Sequence, residues 1–239
     1  MTRVIDLGCG GGAVGRVLLA EKPTLHVTGI DIANVPRSGD PQVELMSGTA
    51  MESLPFADGA FGAAVSQFGY EYAKPEIAAK EIARVLVPGA PFSFLVHHPE
   101  GPMVAEMRRH RRAIESLCGL RVQAAFFSGN ANTLAERFAI LKRECSDDPI
   151  VEQAECGLRA HILNDELHRL QVWKAVTEAL APELLMLDSL EFCCADDRQI
   201  DDHAEPLTRW FDVRLPVVIR TRLGEPVAWA VHGTRLTDR

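Results

Sequence analysis

The chain has 239 residues, 47% hydrophobic and 24% charged, a balance that excludes wholesale disorder. At about 150 residues per domain, this length means one domain, or one with a large insertion. The formal net charge of −8 excludes the basic footprint that nucleic acid or an anionic membrane surface demands.

Residues 3–7 (RVIDL) read as a short strand that opens directly into Gly8-Cys9-Gly10-Gly11-Gly12. A helix follows, with Val14, Val17 and Leu18 apolar and Pro23 ending it. A second strand is predicted over 25–30, closed by Asp31, and a third over 43–46, leading into Ser47-Gly48. The connection between them, residues 33–42, holds Pro36, Gly39 and Pro41, so its crossover helix is short or absent. Residues 60–68 are nearly all apolar or small, as in a strand buried on both faces. A helix over 76–86 places Ile77, Ile82, Val85 and Leu86 on one side; Val87-Pro88-Gly89 stops it, and residues 91–97 form a fifth strand. Strands alternating with helical patterns mean βαβ units and a parallel, doubly wound sheet.

From 100 to about 181 the period becomes helical. Met103, Met107, His110, Ile114 and Leu117 share a stripe, Thr133 and Glu136 fit a capping box, Pro149 opens a third segment, and Asn164-Asp165 caps a fourth that stops near Leu180, before Pro182. Residues 195–206, acidic and helix-poor, read as a surface loop. Strand character returns over 213–221 and 226–232, joined at Gly224-Glu225 as a hairpin. The expected fold is therefore α/β: a doubly wound, Rossmann-like, seven-stranded, mostly parallel sheet, with a C-terminal antiparallel hairpin and a helical insertion after strand five. Residues 1–99 form the ligand-binding half, 100–163 the insertion, and 164–239 the last helix and hairpin.

The middle of the chain is the acidic part, with −5 over residues 100–200 against −3 over 1–99. Cys9, Cys118, Cys145, Cys156, Cys193 and Cys194 show no CxxC and no ligand spacing, so free thiols and a cytoplasmic location are expected. No apolar run reaches the ~18 residues of a membrane-spanning helix, and MTRVIDLG is no signal peptide.

Two motifs overlap in the glycine cluster. Gly10-x-Gly12-x-x-Gly15, with Asp31 downstream, has the dinucleotide spacing. Asp6-x-Gly8-x-Gly10-x-Gly12 adds an acid inside the strand, which a pyrophosphate cannot use and a cationic amino acid group can. S-adenosylmethionine carries such a group, and its ribose would still use Asp31.

The DLGCGGG loop, GIDI, GTAMESLPFADGAF and EIARVLVPGAPF, in order over residues 3–97, resemble the motifs of class I S-adenosylmethionine-dependent methyltransferases. The nearest branch is the small-molecule one that includes ubiquinone and menaquinone biosynthesis enzymes. The resemblance implies S-adenosylmethionine as cofactor, with Asp6, Gly8, Gly10 and Gly12 along its methionine and ribose side. It implies Asp31 on the ribose hydroxyls, Ile32 against the adenine, and Thr49, Ala50 and Met51 at the adenine edge. Ser66 and Gln67 would lie beside the sulfonium. Leu54, Pro55, Phe56 and the Arg84–Gly89 helix stop read as structural. Thr49 stands where many relatives have Asp, and the chain opens at strand one, without the N-terminal helices that often cover the cofactor.

Methyl transfer needs a base only when the acceptor must lose a proton. His97 and His98, leaving strand five, are the candidates, and strand alternation turns at most one of them inward. Tyr70, Glu71 and Tyr72, after strand four, would wall the acceptor pocket, with the insertion as a lid and His110 facing in from it. The Arg108–Arg112 run reads as a solvated face, and His161 with His168 lacks a third ligand, so no metal is expected. The expected function is methyl transfer to a small-molecule acceptor, without nucleic acid or membrane; a homodimer is compatible. The alternatives are a non-catalytic methyltransferase-like partner subunit and an NAD(P)-dependent oxidoreductase.

Overall fold

In the computed structural model, which describes residues 2–145 and 148–237, the chain divides into two units: Met1–Gly101 with Cys193–Arg239, and Pro102–Phe192. The first unit opens with β1 (Arg3–Leu7), α1 (Ala13–Glu21), β2 (His26–Ile30), β3 (Val43–Met46), β4 (Ala63–Gln67), α2 (Pro75–Val85) and β5 (Pro91–His97). The five strands pair in parallel, in the order β3-β2-β1-β4-β5.

Alternation along β1 sorts the core of this unit into two layers. Val4 packs with Leu19, Leu25, Val27 and Val43. Ile5 and Leu7, on the opposite face, join Ile82, Val85 and Leu86. Both layers are apolar because a central parallel strand is covered on both sides. Pro75 starts α2 with a φ already suited to a first turn. Residues 32–42 form no helix, as their prolines and glycine lead one to expect.

The second unit consists of α3 (Pro102–Leu117), α4 (Leu120–Phe127), α5 (Ala131–Glu144), α6 (Pro149–His161) and α7 (Glu166–Cys193). Its core gathers Leu117, Phe126, Phe138, Leu141, Val151, Leu158 and Trp173. Three details differ from the sequence reading. A separate helix, α4, lies between the two expected ones. The cap of α5 is Asn130, whose side chain accepts the amides of Asn132 and Thr133, rather than a box from Thr133 to Glu136. The fourth helix runs through Pro182 to Cys193, so the helical unit continues past 163. The buried stripe Trp173, Leu180, Leu187, seven residues apart, carries the helix across the hydrogen bond that Pro182 cannot make.

The first unit then resumes with α8 (Ile200–Thr208), β6 (Phe211–Val213), β7 (Val217–Arg220) and β8 (Pro226–Arg235). The stretch expected to be a loop is thus partly helical. Asp201 and Asp202 favour the first turn of α8, and Ile200, Ala204 and Leu207 are buried at helical spacing. Strand β8 runs antiparallel to β5, from Pro91↔Thr234 to His97↔Ala228. Its other edge takes β6 and β7 in succession. The expected single strand over 213–221 is broken: the register passes from Val213↔Gly233 to Val217↔Ala230, which inserts one extra residue. Pro216, without an N–H, falls in the break. Among the described residues, eight strands therefore fill seven sheet positions. No helix among the described residues is long and apolar enough to cross a membrane.

Candidate active site

The carboxyl ends of β1 and β2 are tied together by the glycine loop. The amides of Gly8 and Cys9 both donate to the Ile30 carbonyl, each at 2.9 Å. Gly8, Gly10 and Gly12 have φ of 71°, 48° and 75°, a region that side chains with a Cβ enter only with strain. Gly12 caps α1 with no side-chain partner, and a Cβ on Gly10 or Gly11 would meet open space.

Two carboxylates lie behind this loop in different states. Asp31, at the end of β2, accepts the Gly10 amide on Oδ2 at 2.8 Å and the Ala33 amide on Oδ1 at 2.9 Å. Asp6 is 1% exposed, and neither of its oxygens has a hydrogen-bond partner. Burial, with the Asp31 charge second, pushes the Asp6 carboxyl up to about 7. Burial first, and then the two carboxylates, push the neighbouring Cys9 thiol up to about 12, so Cys9 stays protonated and is no nucleophile. A buried acid without a donor suits a ligand that brings a cation. The residues present thus fit S-adenosylmethionine.

The remaining cofactor candidates reach the same end of the sheet. Thr49 donates its amide to the Asp31 carbonyl at 2.9 Å, Met51 approaches Gly8, and Ala50 is half-buried between them. Ile32 is 77% exposed beside Asp31. Ser66 fastens β4 to β1: its hydroxyl donates to the Leu7 carbonyl at 2.7 Å and accepts the Tyr70 amide at 3.0 Å. Gln67 ends β4 exposed. Phe68, with φ 60°, and Gly69, whose Cβ would lie 2.7 Å from the Leu7 carbonyl, also shape this edge. Nothing in the sequence marked them, because their roles come from contacts across the sheet.

Tyr70, Glu71 and Tyr72 form a single 3₁₀ turn. Tyr70 is fully buried, stacks on Phe94 at 4.8 Å and donates to the His203 carbonyl; Tyr72 is 44% exposed. Glu71 reaches His97, with Oε1 2.7 Å from Nδ1. Both His97 and His98 are buried. Alternation ends with β5 at His97, and His98 packs beyond it against Trp229, ring centroids 5.7 Å apart. His98 borders a cleft of ≈ 390 Å³ with Glu100, Asp196, Arg198 and Arg220.

In the helical unit, His110 is held by carboxylates on both ring nitrogens, Asp148 at 2.9 Å and Glu183 at 2.9 Å. Burial opposes its charge, yet these two partners outweigh it and raise the pKa. Arg111 of the arginine run pairs with Glu115, Asp188 and Glu191. His161 Nδ1 and His168 Nε2 lie 3.2 Å apart, and among the described residues no cluster of three or more ligands could hold a metal.

A methyltransferase-domain family model matches residues 5–94. That segment is similar to a methyltransferase domain, in line with the four motifs. No curated protein matches the chain. Among solved structures, one described for conversion of a disulfide bond into a thioacetal group during echinomycin biosynthesis is 12% identical. That match covers 100% of this chain and 77% of the other, with a TM-score of 0.50, and shows the fold. A methyltransferase from Methanosarcina mazei is 17% identical over 99% of this chain and 93% of its own, TM-score 0.46. A chain of the complex between the Haloferax volcanii Trm112 methyltransferase activator and a methyltransferase is 24% identical over 44% of this chain, TM-score 0.37; the match spans about half of that protein, 48%.

Proposed function

We propose that the protein transfers the methyl group of S-adenosylmethionine to a small-molecule acceptor. The observation that carries this reading is the Asp6 carboxylate, buried and unpartnered behind the glycine loop. A pyrophosphate would be repelled there, whereas an ammonium supplies the missing donor and counter-charge. Asp6 would hold the amino group of the methionine end, the backbone of Gly8–Gly12 would follow the ligand, and Asp31 would accept from the ribose hydroxyls. Ile32, exposed in this structure, would cover the adenine, with Thr49 to Met51 along its edge. When bound, the cofactor supplies an activated methyl on a sulfonium, and the chain's part is to align the acceptor and exclude water. The net charge of −8 favours a small acceptor over a polyanionic polymer.

Calorimetric titration of the wild type and Asp6→Asn with S-adenosylmethionine, S-adenosylhomocysteine and NAD tests this. Both adenosyl ligands bind the wild type, and Asp6→Asn weakens them at least about tenfold, about 1.4 kcal/mol. Tight NAD binding with no sulfonium binding would overturn the reading in favour of an oxidoreductase. Absence of donor binding, with a co-purifying partner, would favour a non-catalytic subunit.

A further inference from the structure

The outer face of α7 is complementary to its own reversed copy. The helix buries Trp173, Leu180 and Leu187 on its inner side. Away from them, Leu167, Lys174, Glu178 and Leu185 follow one another at steps of seven, four and seven residues, each a helical repeat that returns to the same line. Leu167 is 66% exposed and Leu185 67%, and the side chains of Lys174 and Glu178 are 72% and 66% exposed. The stripe is about 27 Å long, at about 1.5 Å per residue. Lys174 Nζ lies 3.7 Å from Glu178 Oε1, a pair within one helix turn that contributes little at such exposure. Covering the two leucines would remove apolar surface from water, and the charges between them fix how a partner can lie.

The order along the stripe is leucine, cation, anion, leucine. A parallel second copy would set Lys174 on Lys174 and Glu178 on Glu178, like charge on like. An antiparallel copy, related by a two-fold axis through position 176, sets Leu167 opposite Leu185 and Lys174 opposite Glu178, each pairing occurring twice. Leu170 then faces Pro182 of the second copy, since these positions too are equally far from 176. The acidic balance of residues 100–200 opposes an anionic membrane as the occupant. We propose that the chain forms an antiparallel, two-fold homodimer through this face of α7. The dimer goes beyond the methyl-transfer reading and does not depend on it. One helix against one helix is at the small end of protein interfaces, so the dimer is weak, with a Kd on the order of 10 μM.

The test is sedimentation of the full chain over a range of concentrations at low ionic strength, where exposed charges act most strongly, with circular dichroism to show that each variant is folded. The wild type passes from monomer to dimer as concentration rises. Leu185→Asp places a carboxylate opposite Leu167 and raises Kd at least about 100-fold. Lys174→Glu gathers four carboxylates around the two-fold axis and Glu178→Lys gathers four ammonium groups, and each change alone raises Kd at least about tenfold. Mixed in equal amounts, these two charge variants associate with each other at about the wild-type Kd, because each then faces two opposite charges. The double variant K174E/E178K restores the homodimer for the same reason. A wild type that stays monomeric at every concentration, or a dimer that survives Leu185→Asp, overturns the proposal. Charge variants that dimerise alone as the wild type does, or that fail to associate when mixed, overturn it equally, since the two-fold pairing of Lys174 with Glu178 would then be wrong.

Discussion

Gly8 and Gly69 meet so closely that a Cβ added to Gly8 would lie 2.8 Å from the Gly69 Cα. The loop after β1 and the turn after β4 therefore approach backbone to backbone. Gly8→Ala adds strain at φ 71° to that clash, and a destabilisation of about 2–3 kcal/mol is expected, with loss of S-adenosylhomocysteine binding. Gly11→Ala, with open space around the new Cβ, is the control and stays within about 0.5 kcal/mol. Thermal unfolding and calorimetry of both variants read this directly.

The raised Asp6 carboxyl makes stability depend on pH in a definite direction. Its folded pKa, about 7, lies above the ordinary 3.8, so between these values the folded protein holds a proton that the unfolded chain has lost. Stability of the ligand-free protein should therefore fall as pH rises through that window and level off above about 7. Asp6→Asn removes this fall, and its Tm at pH 8 exceeds that of the wild type. An unchanged pH dependence in the variant counts against the assignment.

His110 gives a pH dependence of the same sign within the helical unit. Its pKa is raised by Asp148 and Glu183 against the opposing effect of burial. The stability it contributes is complete below the ordinary imidazole range and lost as pH rises through the folded value. Asp148 is also the cap of α6, accepting the Ile150 amide at 3.0 Å. Hence Asp148→Ala should cost about 1–2 kcal/mol at acid pH, and less as His110 loses its charge. Circular dichroism melts at several pH values check both parts.

Arg84 is a clamp rather than a surface charge. Its guanidinium donates to the carbonyls of Leu54 and Phe56, to Glu81 and to Asp58, fixing the segment after β3 onto α2. Arg84→Lys keeps the charge but loses the fork, and a loss of about 1–2 kcal/mol is expected in urea unfolding. Asp58→Asn, on an exposed partner, should cost under about 1 kcal/mol.

What the sequence made legible was local. The run from Arg3 to His97 alternates short apolar strands with helices, and each change is marked by glycine or proline, so β1 to β5 and the Asp6–Gly12 loop could be read in order. Where long-range packing overrode a local signal, the reading diverged. Pro182 looked like a stop, but the stripe through Trp173, Leu180 and Leu187 continues past it. Pro206 and the dense acids hid α8, whose buried residues match a face of the sheet that no local pattern reveals. His98 is buried because Trp229, far along the chain, lies against it. The grip of Glu71 on His97 has the same origin, since residues 26 positions apart met only when β4 and β5 paired.

The antiparallel pairing of β5 with β8 places a demand on biogenesis. On a growing chain, β5 exists long before β8 (Pro226–Arg235), with the whole helical unit made in between. Lengthening that connection adds little closure entropy, about 0.6 kcal/mol per doubling, so the finished fold tolerates the insertion. The nascent chain is less protected. Until residue 235 emerges, one edge of β5 offers unpaired backbone groups flanked by Phe92, Phe94 and Val96, a ready template for another chain. The hazard of this topology is therefore one of timing, and it falls on the ribosome-bound and freshly released protein rather than on the native state.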